Sequence, residues 1–141
     1  RDDLVTGVQT CALPIFDWLV CGSNHTQDDG HNFYWELYPK WNDDIISGVN
    51  TISSPSVVAV RREVFNQVRF DEKLVMMMDC EYYYHARKLF GDPVYYNDVL
   101  VTNRVHSNQI SSRYLNSSDP KEKLSKEVNY CKQKHLETFN V

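Results

Sequence analysis

Phe70-Asp71-Glu72-Lys73-Leu74-Val75-Met76-Met77-Met78-Asp79-Cys80-Glu81-Tyr82-Tyr83-Tyr84-His85-Ala86-Arg87-Lys88-Leu89-Phe90-Gly91 is the stretch on which the reading of this chain turns. From Asp79 onward it predicts a helix. Tyr82, Tyr83, Ala86, Leu89 and Phe90 return at helical spacing and form one apolar stripe. Arg87 and Lys88 fall in the last turn, where cations offset the helix dipole. Gly91 stands where a C′ glycine ends a helix. Asp79 is the expected N-cap, because a short carboxylate accepts from the unpaired N–H groups of a first turn. An ionised carboxylate at the positive end of a helix also suits a general base. These residues alone leave both roles open, cap and base.

Composition bounds the rest. The chain has 141 residues, enough for one domain, with 42% hydrophobic and 24% charged residues and a formal net charge of −4. No Lys/Arg-rich run interleaves with aromatics, so a nucleic-acid partner is not expected. No apolar run approaches about 18 residues, so no membrane span is expected. Cys11, Cys21, Cys80 and Cys131 form no C-x-x-C pair and read as reduced intracellular thiols. The expected location is therefore cytoplasmic, the inner face of the membrane included.

Working outward, residues 16–21 form a short apolar run that predicts a buried strand. Residues 22–32 are polar and read as a loop. His25, Asp28, Asp29 and His31 crowd there without a recognised metal-ligand spacing. Phe33, Tyr34, Trp35, Tyr38 and Trp41 make an aromatic segment that either packs in the core or stacks on sugar rings. Residues 42–46 suggest one helical turn. Residues 53–55 suggest a turn ending in Pro55, residues 56–60 a β-branched strand, and residues 63–68 a short helix. After Gly91, residues 94–96 and 100–105 read as two strands joined by a turn at Asn97-Asp98. Residues 107–118 look like a loop. Ser118-Asp119-Pro120 opens a final helix, with Leu124, Val128, Cys131, Leu136 and Phe139 as its apolar stripe.

Four pieces stand in a telling order: Asn50-x-Ile52-x-x-Pro55-Ser56 before an apolar strand and Arg61-Arg62; Phe70-Asp71-Glu72-x-Leu74; Met78-Asp79-x-Glu81-x-Tyr83; and Arg104-x-His106-x-x-Gln109-x-Ser111. Over about residues 17 to 115 this order resembles the second half of a family 2 glycosyltransferase with the GT-A fold. The resemblance implies an α/β, Rossmann-like fold over residues 16–116, followed by a C-terminal helix in residues 117–141. It implies an inverting transfer of sugar from a nucleotide-sugar donor, a UDP-sugar, to a glycan, lipid or protein acceptor. Asp79 matches the aspartate of the family's E-D-type motif and becomes the base, although Met78 stands where that motif often has Glu. Ser53, Pro55, Ser56, Glu81 and Arg104 become donor- or acceptor-binding residues. His106 becomes a ligand of the catalytic Mn²⁺ or Mg²⁺.

The family's D-x-D metal motif is expected upstream of Phe16. Residues 1–15 contain Val5-Thr6-Gly7-Val8-Gln9-Thr10-Cys11-Ala12-Leu13-Pro14-Ile15, which resembles the translation of a common sequencing-library adapter. They are set apart from fold reasoning. On this reading the nucleotide-binding half belongs to the parent enzyme, and the 141 residues alone are expected to be inactive and dispensable in their first 15 positions. Two other classes stay open. One is a non-enzymatic carbohydrate-binding or interaction module built on Trp35 and Trp41. The other is a metal hydrolase using Asp79, Glu81, His85 and His106.

Overall fold

The computed structural model describes residues 16–27 and 31–139; the expectations for residues 1–15, Asp28 and Asp29 lie outside them. The described chain is mixed α/β. Strand β1 (Trp18–Thr26) lies at the centre of a four-stranded sheet. Strand β4 (Val94–Arg104) runs parallel to it along Leu19 to Thr26. The other edge of β1 is shared end to end by two antiparallel strands. β3 (Val58–Val60) pairs with Trp18, Leu19 and Val20, and β2 (Phe33–Leu37) pairs with Ser23 through Thr26.

β1 is longer than its apolar run. The expected loop at residues 22–26 is the second half of the strand, because Ser23 and Thr26 are buried with their hydroxyls engaged. Gly22 allows this: a Cβ there would meet the Asp98 carbonyl oxygen at 3.0 Å. β4 shifts register on either side of Gly22, so Asn97 and Asp98 form an irregularity within one strand and not the turn expected between two. β4 pairs with β1 from Leu19 to Thr26.

Helix α1 (Arg62–Gln67) buries Val64 and delivers the chain to the loop at residues 68–77. Helix α2 (Met78–Phe90) buries Cys80, Glu81, Tyr82, Tyr83 and Ala86. It ends as expected at Gly91, whose φ of 81° lies in the region glycine tolerates. Trp18 Nε1 donates to the Gly91 carbonyl at 3.0 Å and ties that end to β1. The start differs from expectation. Met77 is the N-cap and offers no side-chain bond, and Asp79 lies inside the first turn. The cap comes from elsewhere. Glu127 Oε2 accepts the N–H groups of Val75, Met76 and Met77 at 3.1, 2.9 and 2.9 Å.

Glu127 belongs to the last helix, α4 (Pro120–Phe139), which follows a short α3 (Ile110–Leu115) where a loop was expected. The apolar stripe foreseen for α4 is only partly its buried face. Cys131 and His135 are buried, while Leu136 is 60% exposed. Charge holds this helix as much as apolar contact does. Lys134 Nζ lies 2.7 Å from Asp71 Oδ2 and 2.8 Å from Glu81 Oε1, and His135 Nε2 lies 3.2 Å from the same Glu81 oxygen. Tyr130 donates to Asp71 at 2.9 Å. These contacts hold the Asp71 carboxyl down at about 2 against the desolvation that opposes them. Among the described residues no helix is long and apolar enough to cross a membrane.

Glu81 is 0% exposed. Removing Lys134 therefore leaves a buried carboxylate with only the His135 ring beside it among the described residues. Lys134→Ala should cost roughly 3 kcal/mol, as loss of one member of a buried pair does. Adding Glu81→Gln to that variant should restore part of the loss, because the stranded charge is gone. Thermal unfolding of the two variants measures this, and an unchanged midpoint in Lys134→Ala would show that the pair does not anchor α4.

Candidate functional site

The turn before β3 is built by an asparagine. Asn50 Oδ1 accepts from the backbone N–H groups of Ile52 and Ser53, both at 3.0 Å, and Asn50 Nδ2 donates to the Ser53 carbonyl at 3.0 Å. This clamp holds Ser53 at a φ of 101°, a conformation that side-chain-bearing residues rarely adopt. Three elements meet the turn. Ser53 Oγ lies 3.2 Å from Ser23 Oγ on β1, and Asn103 Nδ2 of β4 donates to Ser53 Oγ at 3.3 Å. Ser54 Oγ donates to Asn103 Oδ1 at 2.9 Å. Tyr83 of α2 donates its hydroxyl to the Ser53 carbonyl at 3.1 Å. The strained turn is thus fixed to both parallel strands and to the helix.

Asp79 precedes Tyr83 by four residues, so the two share one face of α2. Its negative charge adds to the burial that pushes the Tyr83 phenol up. The Asp79 Oδ1 is enclosed and accepts no hydrogen bond among the described residues. Burial without a compensating cation pushes this carboxyl from the ordinary 3.8 to about 6. Near neutral pH such a group exchanges a proton readily, which the arrangement offers as its main chemical capacity. Burial, together with the Asp79 charge, also pushes the neighbouring Cys80 thiol up to about 12, so Cys80 is no nucleophile.

The remaining predicted residues divide. Ser53 belongs to the network, with Pro55 and Ser56 in the single 3₁₀ turn that follows it. Arg104 ends β4 opposite Thr26, and the Val105 N–H donates to the Thr26 carbonyl at 2.9 Å. His106 comes next, half-buried, its N–H donating to Gln109 Oε1 at 3.4 Å and its carbonyl accepting from Ser112. The carboxyl ends of the parallel strands β1 and β4 therefore converge where Arg104 and His106 stand. Glu81 does not join them. It lies wholly buried against Lys134 and His135, so the expectation that it binds acceptor gives way to a structural role.

No group of three His, Cys, Asp or Glu side chains among the described residues could hold a metal ion. Among the described residues His106 has no companions for a ligand set, and Asp79, Glu81, His85 and His106 do not form the hydrolase centre considered from sequence. None of the cavities described at α2, α3 and α4 is lined by Asp79, His106 or the turn at Ser53. Sequence reading missed Tyr83, Asn103 and Ser23 as parts of the site. Only the Asn50–Ser53 spacing carried a local signal, that of an Asx turn. Compared with known proteins, the chain matches no family model, no curated protein and no solved structure.

The raised Asp79 value has a signed consequence for stability. A folded-state value above the unfolded one favours the fold fully below about pH 3.8, and that contribution is lost as pH rises through about 6. Asp79→Asn removes the charge, so it should stabilise the fold at pH 8 by about 3 kcal/mol and change little at pH 4. Thermal unfolding of the variant at both pH values checks this; equal shifts at pH 4 and pH 8 would contradict it.

Proposed function

We propose that this chain is the C-terminal half of an inverting family 2 glycosyltransferase of the GT-A fold, with Asp79 as its general base. The observation that carries the reading is the Asp79 carboxyl, enclosed without a cation and pushed to about 6, on the helix face that meets the strained Ser53 turn. In the proposed reaction an Asp79 oxygen takes the proton from an acceptor hydroxyl. The acceptor oxygen bonds to the anomeric carbon of the donor sugar as the bond to the nucleotide diphosphate breaks, and the diphosphate leaves with both bonding electrons. Attack opposite the leaving group inverts the anomeric centre. The Ser53, Pro55 and Ser56 segment and Arg104 would form the wall against which donor and acceptor lie, and fixing both in line is the entropic part of the catalysis. Mn²⁺ or Mg²⁺ would neutralise the departing diphosphate in such an enzyme. The described residues do not offer a ligand set, so no step is assigned to His106. The donor in this reading is a UDP-sugar, and the acceptor a glycan, a lipid or a protein.

A second reading, a non-enzymatic carbohydrate-binding module, is favoured by one observation. Phe33, Tyr34, Trp35 and Tyr38 are 58%, 54%, 53% and 51% exposed, so they are not the core packing that aromatic clusters usually form. Trp35 is backed by His25, stacked at 4.6 Å between ring centroids. A backed, exposed indole offers a flat face to a sugar ring. Micromolar glycan binding by the chain with no nucleotide present would favour this reading over the first.

Transfer from a UDP-sugar by the complete gene product tests the enzyme reading. Asp79→Asn should lower turnover by about a hundredfold or more, as loss of a general base does. In the unsubstituted enzyme, kcat/KM should rise with pH through about 6 and then level, because the base must be ionised. Near-normal turnover in Asp79→Asn would remove Asp79 from the mechanism.

A further inference from the structure

The largest of the described cavities, about 640 Å³, lies away from Asp79, between the loop before α2 and the hairpin of α3 and α4. It falls within the roughly 300–1,000 Å³ range of small-molecule sites. Its walls carry Val75 and Ile110, which are 47% and 56% exposed, and three cations, Arg113, Lys123 and Lys126. On a chain of net charge −4 this concentration of positive charge is local. Lys126 is answered by Glu122 at 2.7 Å. Lys123 donates only to the neutral Ser117 hydroxyl, at 3.0 Å, and Arg113 has no ion-pair partner among the described residues. Among the described residues the one carboxylate on the wall, Glu127, is spent on the three N–H groups at the start of α2 and on the Tyr114 hydroxyl at 3.3 Å. Two cations, one of them a planar fork, are left facing an apolar wall.

We propose that this cavity binds a phosphate monoester carried on a short apolar group. Arg113 and Lys123 would hold the phosphate, and Val75 and Ile110 would cover the apolar part. Charge selects the class. A phosphate monoester brings about −1.5 to −2 at neutral pH and matches two unanswered cations, whereas a carboxylate leaves one of them unpaired. The arginine fork adds paired donors to phosphate oxygens. The site does not depend on Asp79, so it stands or falls apart from the transferase reading.

The test is calorimetry of the 141-residue chain at low salt with hexyl phosphate, inorganic phosphate and hexanoate as probes. Hexyl phosphate should bind about tenfold or more tighter than either of the others, since each lacks one half of the recognition. Arg113→Ala and Lys123→Ala should each weaken hexyl phosphate about tenfold, in line with a lost charged hydrogen bond, while leaving the unfolding midpoint in place. Val75→Ser should bring hexyl phosphate and inorganic phosphate closer in affinity. Equal affinity for hexyl phosphate and inorganic phosphate, or unchanged binding in Arg113→Ala, would overturn the proposal. So would tight binding to phosphatidic acid vesicles that hexyl phosphate fails to compete, which would make the patch a membrane-surface contact.

Discussion

Helix α2 carries two carboxylates inward two residues apart, and among the described residues only one of them has a cation. Glu81 is met by Lys134 and His135, which hold its carboxyl below the ordinary value although burial alone would raise it. Among the described residues Asp79 is met by no cation, and burial raises it to about 6. Two acids of similar intrinsic strength, on one turn of one helix, are thus set to different protonation behaviour by their surroundings. Such a divergence is how one scaffold separates a permanently ionised structural group from one that can exchange protons near neutrality. It costs stability once Asp79 ionises.

The last helix makes that division possible. α4 supplies Lys134 and His135 to Glu81, Lys134 and Tyr130 to Asp71, and the Glu127 carboxylate to the start of α2. Because Glu127 answers the N–H groups of residues 75–77, Asp79 is not needed as a cap. Its side chain shares a helix face with Tyr83, which reaches the Ser53 turn. The charged contacts of α4 therefore do more than fasten a terminal helix. They also fix the start of α2, the helix whose Tyr83 holds the Ser53 turn.

Much of this was legible in the sequence, and the failures have physical causes. The apolar stripe and Gly91 located α2 to within a residue, because both signals are local. The N-cap was misassigned because its real partner, Glu127, lies 50 residues beyond Met77, and no propensity reports such a contact. Residues 22–26 looked like a loop because Ser23, Asn24 and Thr26 are polar; the hydrogen bonds of Ser23 to Ser53 and of Thr26 to the neighbouring backbone suit those two to a buried strand. Glu81 was expected to bind donor or acceptor because a buried carboxylate is uncommon; Lys134 and His135, distant in sequence, make its burial tolerable. Exposed aromatics on β2 reversed the usual expectation in the opposite sense.

The separation of the two α2 carboxylates is the centre of this account, and titration by carboxyl-carbon NMR reads it directly. With Asp and Glu side chains labelled and assigned through Asp79→Asn and Glu81→Gln, the account predicts that Asp79 titrates near about 6 and Glu81 below the ordinary 4.5. An Asp79 midpoint near 3.8, or a Glu81 midpoint above that of Asp79, would contradict it.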